Sequence, residues 1–337
     1  MNFLAKYTFL CLFTAFNVIF FFEAKALNPP VKYLGIEQGL SNNAVTSVIQ
    51  DHYGFMWIGT YNGLNRFDSS NFLVYNNILG DPYSLINNHI NRLAQDSAGR
   101  IWVGTQKGVV YFNYRDAKFR TVNYKSVKSG KKAKIISNIN GFAAAKTGEV
   151  YIATDDLGLL VYDAKAGIAR QIVFNRKQGS YHVQTLLLDE KYKLWLFIKD
   201  VGLCVYNKAN QQINVVNPLL KTAACLESDQ HGNIWIGTEL GLYKYDQISG
   251  KLMAVGARPN QLTTNNILNL HLSKDNLWIA TDGGGVNILN INTGSISYIL
   301  PGESDGFLKS GAISDIYEDK ESRKWIATLR GGTKHPG

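Results

Sequence analysis

Chemistry on a protein surface needs nucleophiles, acids, bases or metal ligands at workable spacing, and this sequence offers few. Its six histidines stand at 52, 89, 182, 231, 271 and 335. None sits in an H-E-x-x-H or similar pattern that would place two imidazoles on one metal ion. No G-x-S-x-G nucleophile elbow occurs. Asp282-Gly-Gly-Gly285 lacks the Lys-Ser/Thr pair of a phosphate-binding loop and reads as a turn. Asp155 and Asp156 are adjacent in sequence, which sets no acid–base geometry. The expectation is a chain with no catalytic residue, no metal site and no cofactor.

The elements that must position any site are announced by tryptophan. Five of six are followed by a β-branched residue, then Gly or Ala, then Thr: Trp57-Ile-Gly-Thr60, Trp102-Val-Gly-Thr105, Trp235-Ile-Gly-Thr238, Trp278-Ile-Ala-Thr281 and Trp325-Ile-Ala-Thr328. Trp195-Leu-Phe-Ile198 keeps the first part, and Tyr151-Ile-Ala-Thr154 substitutes Tyr. The anchors at 57, 102, 151, 195, 235, 278 and 325 are spaced 40 to 49 residues apart. Each unit runs in the same order. An alternating apolar run comes first, then a tight turn such as Asp51-His-Tyr-Gly54 or Asp229-Gln-His-Gly232, then the Trp strand. A Gly-led strand such as Gly108-Val-Val-Tyr-Phe112 and a variable fourth strand complete it. Four short strands per 40- to 50-residue repeat specify an antiparallel meander, and seven meanders specify an all-β, seven-bladed β-propeller of four-stranded blades. Trp57, Trp102, Tyr151, Trp195, Trp235, Trp278 and Trp325 are expected in the core between blades. The turn Asp is expected to bond its own backbone as an Asx-turn.

An up-and-down meander puts the loop after each Trp strand and the loop before each first strand on one face. That face is expected to carry Asn42, Asn43, Tyr61, Asn62, Asn88, His89, Gln106, Lys107, Asp155, Asp156, Lys199, Asp200, Glu239, Asn265, Asn266 and Asp282. Polar groups with an occasional aromatic suit a sugar, which offers hydroxyls and apolar ring faces. Asn, Asp and Gly also dominate turns for purely conformational reasons.

Lys plus Arg is 35 and Asp plus Glu 26, for a net charge of +9; hydrophobic residues are 45% of the 337 and aromatics 12%. That composition excludes a disordered chain, and three cysteines (11, 204, 225) exclude a disulfide scaffold. Cys204 and Cys225 each fall in an apolar strand pattern and are expected as buried thiols. The basic run Lys125, Lys128, Lys131, Lys132 and Lys134 reads as a solvated loop, with an anionic glycan contact as the alternative, and nucleic acid is not an expected partner. At the N-terminus, Lys6 precedes an apolar stretch, Tyr7 to Phe22, and Ala24-Lys-Ala26 closes it. This is the order of a secretory signal peptide at 1–26, cleaved after Ala26, with an uncleaved anchor as the alternative. Either way the bulk of the chain is expected to be exported.

These units resemble the two-component regulator propeller repeat. The resemblance rests on Gly39-Leu-Ser-Asn-Asn43, Val48-Ile-Gln-Asp51, Gly54, Trp57-Ile-Gly-Thr60 and Gly63-Leu-Asn-Arg-Phe-Asp68, and it recurs from Asn87 through Trp102-Val-Gly-Thr105 and from Asn265 through Trp278. The repeats at Tyr151 and Trp195 depart from it. The resemblance implies the periplasmic sensor propeller of a hybrid two-component regulator that responds to oligosaccharides. Such a protein usually continues with a second propeller, a β-sandwich, a membrane helix, a histidine kinase core, a receiver and a helix-turn-helix. None of these follows residue 330 in this sequence, so the chain reads as a fragment of such a protein, with membrane contact only through missing parts or an uncleaved signal. A second propeller or a homodimer mate are the protein partners this implies. Thr333-Lys-His-Pro-Gly337 stands where a third strand is expected, so the last blade is expected to be incomplete, with Val31-Lys-Tyr-Leu-Gly-Ile36 supplying its fourth strand. The alternatives are an exported propeller enzyme, a lyase or glycan hydrolase, and a protein-binding scaffold.

Overall fold

A computed structural model describes residues 31–172, 182–256, 261–302, 308–330 and 333–336. The signal-peptide segment and Cys11 lie outside them. The described residues are β-structure throughout, with one three-residue 3-10 turn at Ile36–Gln38. β1 (Val31–Leu34) precedes the first meander, β2 (Val45–Gln50), β3 (Met56–Thr60), β4 (Gly63–Phe67) and β5 (Phe72–Tyr75). The second meander is β6 (Ile90–Gln95), β7 (Ile101–Thr105), β8 (Gly108–Asn113) and β9 (Lys118–Thr121). A hairpin, β10 (Asn123–Lys125) and β11 (Lys132–Lys134), comes before the third, β12 (Ile139–Ala144), β13 (Val150–Thr154), β14 (Leu159–Asp163) and β15 (Ile168–Ile172). The fourth is β16 (Val183–Leu188), β17 (Leu194–Ile198), β18 (Gly202–Asn207) and β19 (Gln212–Asn217); the fifth is β20 (Cys225–Ser228), β21 (Ile234–Thr238), β22 (Gly241–Tyr245) and β23 (Leu252–Val255). The sixth is β24 (Ile267–Ser273), β25 (Asn276–Thr281), β26 (Val286–Asn290) and β27 (Ile296–Ile299), and β28 (Ile313–Glu318), β29 (Lys324–Thr328) and β30 (Thr333–Pro336) end the chain.

These strands form seven sheets, and the first strand of each packs beside the first strand of the next, with β28 returning to β2. The fold is an all-β propeller. Two expectations are corrected. Only six sheets are four-stranded. The third has six strands, because the lysine-rich segment is no bare loop: β10 pairs parallel to β15 and antiparallel to β11. The last sheet does have a third strand. β30 pairs with β29 through two residue pairs and with β1 through four, giving the order β1-β30-β29-β28. Strand pairing is backbone hydrogen bonding, so Thr333–Pro336 needs no resemblance to the other third strands to fill the slot.

Each Trp strand is buried along its length, and its anchor leans on the next sheet. Trp57 packs on Phe112 (centroids 5.2 Å apart), Trp102 on Tyr162 (4.9 Å), Tyr151 on Tyr206 (6.2 Å), Trp195 on Tyr245 (6.1 Å) and Trp325 on Phe67 (6.4 Å). Trp278 is the exception and is only half-buried, with Lys324 Nζ 5.3 Å from its ring.

The turn Asp does more than an Asx-turn. In five repeats its Oδ1 accepts the N–H groups two and four residues on, while Oδ2 accepts the indole N–H of the Trp six residues on. The Oδ2 distances are 2.7 Å for Asp51–Trp57 and Asp96–Trp102, 2.9 Å for Asp189–Trp195 and Asp229–Trp235, and 2.8 Å for Asp319–Trp325. A buried indole N–H needs a partner, and this carboxylate ties the turn to the core. Ala145 holds that place before Tyr151, whose hydroxyl donates to Glu149 Oε2 instead (3.5 Å). Leu272 holds it before Trp278 because the hairpin there is shorter.

The small residue two after the anchor is matched to its neighbour. A methyl added at Gly59 would lie 2.6 Å from Ile90 Cγ2, at Gly104 2.6 Å from Ile139 Cγ2, and at Gly237 2.6 Å from Ile267 Cγ2. In the fourth sheet the relation inverts: Phe197 fills the place, and the facing residue in the same core cluster is Ala223. The departure Trp195-Leu-Phe-Ile198 is thus a size exchange.

Candidate functional site at the channel mouth

Six of the seven innermost strands carry a β-bulge near their start. Register slips between Val45 and Ser47, Ile90 and Arg92, Ile139 and Gly141, Val183 and Thr185, Ile267 and Asn269, and Ile313 and Asp315. The extra residues are Thr46, Asn91, Asn140, Gln184, Leu268 and Ser314. In the fifth sheet Ala224, whose N–H donates to Gly237 O, takes the corresponding place. A bulge re-aims the side chain of the extra residue, and all seven line one cavity of about 370 Å³ at the mouth of the central channel. Its volume falls at the small end of the about 300–1,000 Å³ typical of ligand pockets.

The cavity wall has two characters. Asn91 Nδ2 donates to Asn138 Oδ1 (2.7 Å), Asn138 Nδ2 to Asn140 Oδ1 (2.9 Å), and Asn140 Nδ2 to Asp155 Oδ1 (2.7 Å). His182 Nε2 meets the same Asp155 Oδ1 at 2.9 Å. This belt runs across the second, third and fourth sheets. Opposite it, Ala223, Ala224, Leu268 and Leu329 are apolar. Tyr61 and His89 stack at the rim, centroids 4.3 Å apart and 25° between planes. Partial burial holds the His89 imidazole below its ordinary pKa, so at neutral pH it offers an uncharged ring.

The hairpins around the mouth are fixed by the Thr that ends each Trp strand. Thr60, Thr105, Thr154, Thr238 and Thr281 are buried and donate through Oγ1 to the carbonyls of Gly63, Gly108, Gly158, Gly241 and Gly285, at 2.7 to 2.9 Å. Gly108 shows why glycine follows: its φ is +128°, and a Cβ there would lie 2.1 Å from Ile135 O.

Of the residues singled out from sequence, Tyr61 and His89 line the cavity and Asp155 backs it. The others lie outside its wall. Asn43 Oδ1 accepts the Ile36 N–H (3.0 Å) and Asn88 Oδ1 the Asn77 N–H (2.6 Å), both loop ties. Asn266 donates to Asp282 (3.1 Å). Lys107 lines a separate rim cavity with Ile78 and Ile136, and Asp156 another beside Tyr124 and Gln171. Asn62, Gln106, Lys199 and Glu239 are exposed loop residues. The bulge residues were missed because they sit inside the first strand, one step past the loop. Their signal was present: the apolar residues there are three apart, as in Ile90-Asn-Arg-Leu93 and Ile313-Ser-Asp-Ile316, where strict alternation would place them two apart.

The family model of the two-component regulator propeller matches residues 39–62 and 84–107, the start of the first and second repeats. Those two segments are similar to two-component regulator propeller repeats. A 39-residue stretch, 12% of the chain, is 46% identical to Histidine kinase P4 of Formosa agariphila and spans 3% of that protein. The extracellular domain assigned to a hybrid two-component system of B. thetaiotaomicron is similar at 26% identity and a TM-score of 0.78 over 91% of this chain. The chain spans 41% of that domain's length. Virginiamycin B lyase from Staphylococcus aureus shares the fold at 13% identity, with a TM-score of 0.68 and 90% of this chain covered. In fold and sequence the chain therefore resembles the extracellular domain of a hybrid two-component system. Among its described residues no helix is long and apolar enough to cross a membrane, and no three or more His, Cys, Asp or Glu side chains gather as a metal site.

Proposed function

We propose that residues 27–337 form the periplasmic ligand-sensing propeller of a hybrid two-component signalling protein, exported by a signal peptide at 1–26, and that its ligand is an oligosaccharide. The carrying observation is the ring of six bulge residues and Ala224, one from every sheet, with an amide belt facing an apolar wall and a Tyr61–His89 stack at the rim. Amide side chains donate and accept at once, which suits sugar hydroxyls. The aromatic pair and the apolar wall suit the C–H faces of a pyranose. The module works by differential binding: a sugar biases the signalling protein only as far as it prefers one arrangement over another.

Thermal unfolding of the purified chain against neutral and acidic oligosaccharides tests this. A ligand that binds only the native state stabilises it by about 2.7 kcal/mol at a hundred times its Kd, and Asn140→Ala should remove the shift. A cooperative transition that no sugar moves would sink the saccharide reading and favour a protein-binding scaffold. The His182–Asp155 pair keeps a second reading open, an exported lyase. It predicts an unsaturated product from a bound glycan, absent with His182→Ala.

A further inference from the structure

Of all the side chains lining the channel mouth, one is permanently charged, and it is positive: Arg92, the residue after the Asn91 bulge. Its Nη1 donates to two backbone carbonyls, Asn91 O (3.0 Å) and Thr46 O (3.4 Å). Among the described residues no carboxylate forms an ion pair with it, and neither Nε nor Nη2 donates to protein. The acid in its field is Asp315 on β28, whose oxygens accept the N–H groups of Val48 (2.8 Å) and Ile316 (3.1 Å). Burial raises the Asp315 carboxyl above its ordinary pKa, and Arg92 pulls it back down. The other acid at the mouth, Asp155, is held by Asn140 and His182. The site thus has a guanidinium with unused donors, no carboxylate in ion-pair contact with it among the described residues, and uncharged amides on the same wall.

Resting on the saccharide reading above, we propose that the channel mouth selects an acidic saccharide, whose oxyanion pairs with Arg92 while the sugar ring lies against the amide belt. A guanidinium offers a planar fork of donors, and its hydrogen bonds to an ionised oxygen are roughly twice as strong as neutral ones. Carboxylates of uronic acids and sulfate esters share this chemistry, and the experiment separates them.

Titration calorimetry on the full chain at low salt, with matched panels of neutral, uronic-acid and sulfated trisaccharides, reads the preference directly. The expected result is an acidic panel member binding at least tenfold tighter than its neutral counterpart, with affinity falling as salt rises. Arg92→Gln should remove the preference, bringing the acidic and neutral sugars to within twofold of each other. Arg92→Lys, which keeps the charge without the fork, should fall between. Whichever acidic panel wins identifies the oxyanion. The wild-type preference and its salt dependence stand as a test even if Arg92→Gln fails to fold. Equal binding of neutral and acidic sugars, lost with Asn140→Ala, would overturn the charge selection and leave the saccharide reading intact. Binding of no sugar from any panel would overturn both.

Discussion

Asp189→Ala removes three hydrogen bonds, and their surroundings decide the cost. Asp189 Oδ1 accepts the N–H groups of Lys191 (3.0 Å) and Lys193 (2.9 Å), and Oδ2 accepts the indole N–H of Trp195 (2.9 Å). Lys191 and Lys193 are exposed, so water can replace the first two bonds at about 0.5–1 kcal/mol each. Trp195 has no exposed surface, so its N–H would be stranded at about 1–3 kcal/mol. The expected loss is roughly 2–5 kcal/mol. Trp195→Phe removes the stranded donor and should cost core packing instead. In Asp189→Ala/Trp195→Phe the indole penalty is absent, so the double variant should be more stable than the sum of the singles by about 1–2 kcal/mol. Urea denaturation followed by circular dichroism measures all three. Additivity within about 0.5 kcal/mol would refute the view that the carboxylate works through the indole.

The size exchange in the fourth sheet predicts that Phe197→Ala costs about 3–5 kcal/mol, and that adding Ala223→Ile recovers at least about 1 kcal/mol in the same denaturation assay. Burial pushes the Glu227 carboxyl up to about 7, against N–H bonds from Ser228 and Leu272. The folded chain therefore keeps a proton that the unfolded chain releases, and stability falls as pH rises from about 4.5 to about 7. Glu227→Gln should be stabilised relative to wild type at pH 8 by on the order of 2–3 kcal/mol and show little difference at pH 4, measured by denaturation at both. Deleting 333–337 removes β30 and exposes the edges of β1 and β29; an apparent Tm lower by roughly 5 °C or more, with self-association in size-exclusion chromatography, is the expected outcome.

The repeat was legible because tryptophan is rare and its neighbours obey one spacing; seven sheets follow from seven anchors, Tyr151 included. Trp278 is less buried than its counterparts, in the one repeat whose shorter Lys274-Asp275 hairpin puts Leu272 in the place of the turn Asp. The lysine-rich segment was read as a loop because charge masked its alternation; Tyr124 and Ala133 point inward on paired strands. The site was half legible. Loop logic found Tyr61, His89 and Asp155, but a bulge is a property of two strands in register, and one strand's sequence shows only its spacing.

The meeting of the first and last sheets has a further consequence. Ser314 Oγ donates to Val45 O (2.6 Å), Asp315 accepts from Val48, and Lys320 Nζ donates to the carbonyls of Asp51 (3.0 Å) and His52 (3.1 Å), all across some 270 residues of chain. Joining points so distant carries a large loop-closure cost, so this join acts as a clasp, expected to fasten late and to give early. Thr46 and Ser314, one on each side of it, both line the channel mouth. A guest that touches both holds the clasp shut from within. Occupancy would then be felt along the whole circumference as resistance to springing open, and a sensor could report it at the rim without any change in the shape of a single sheet.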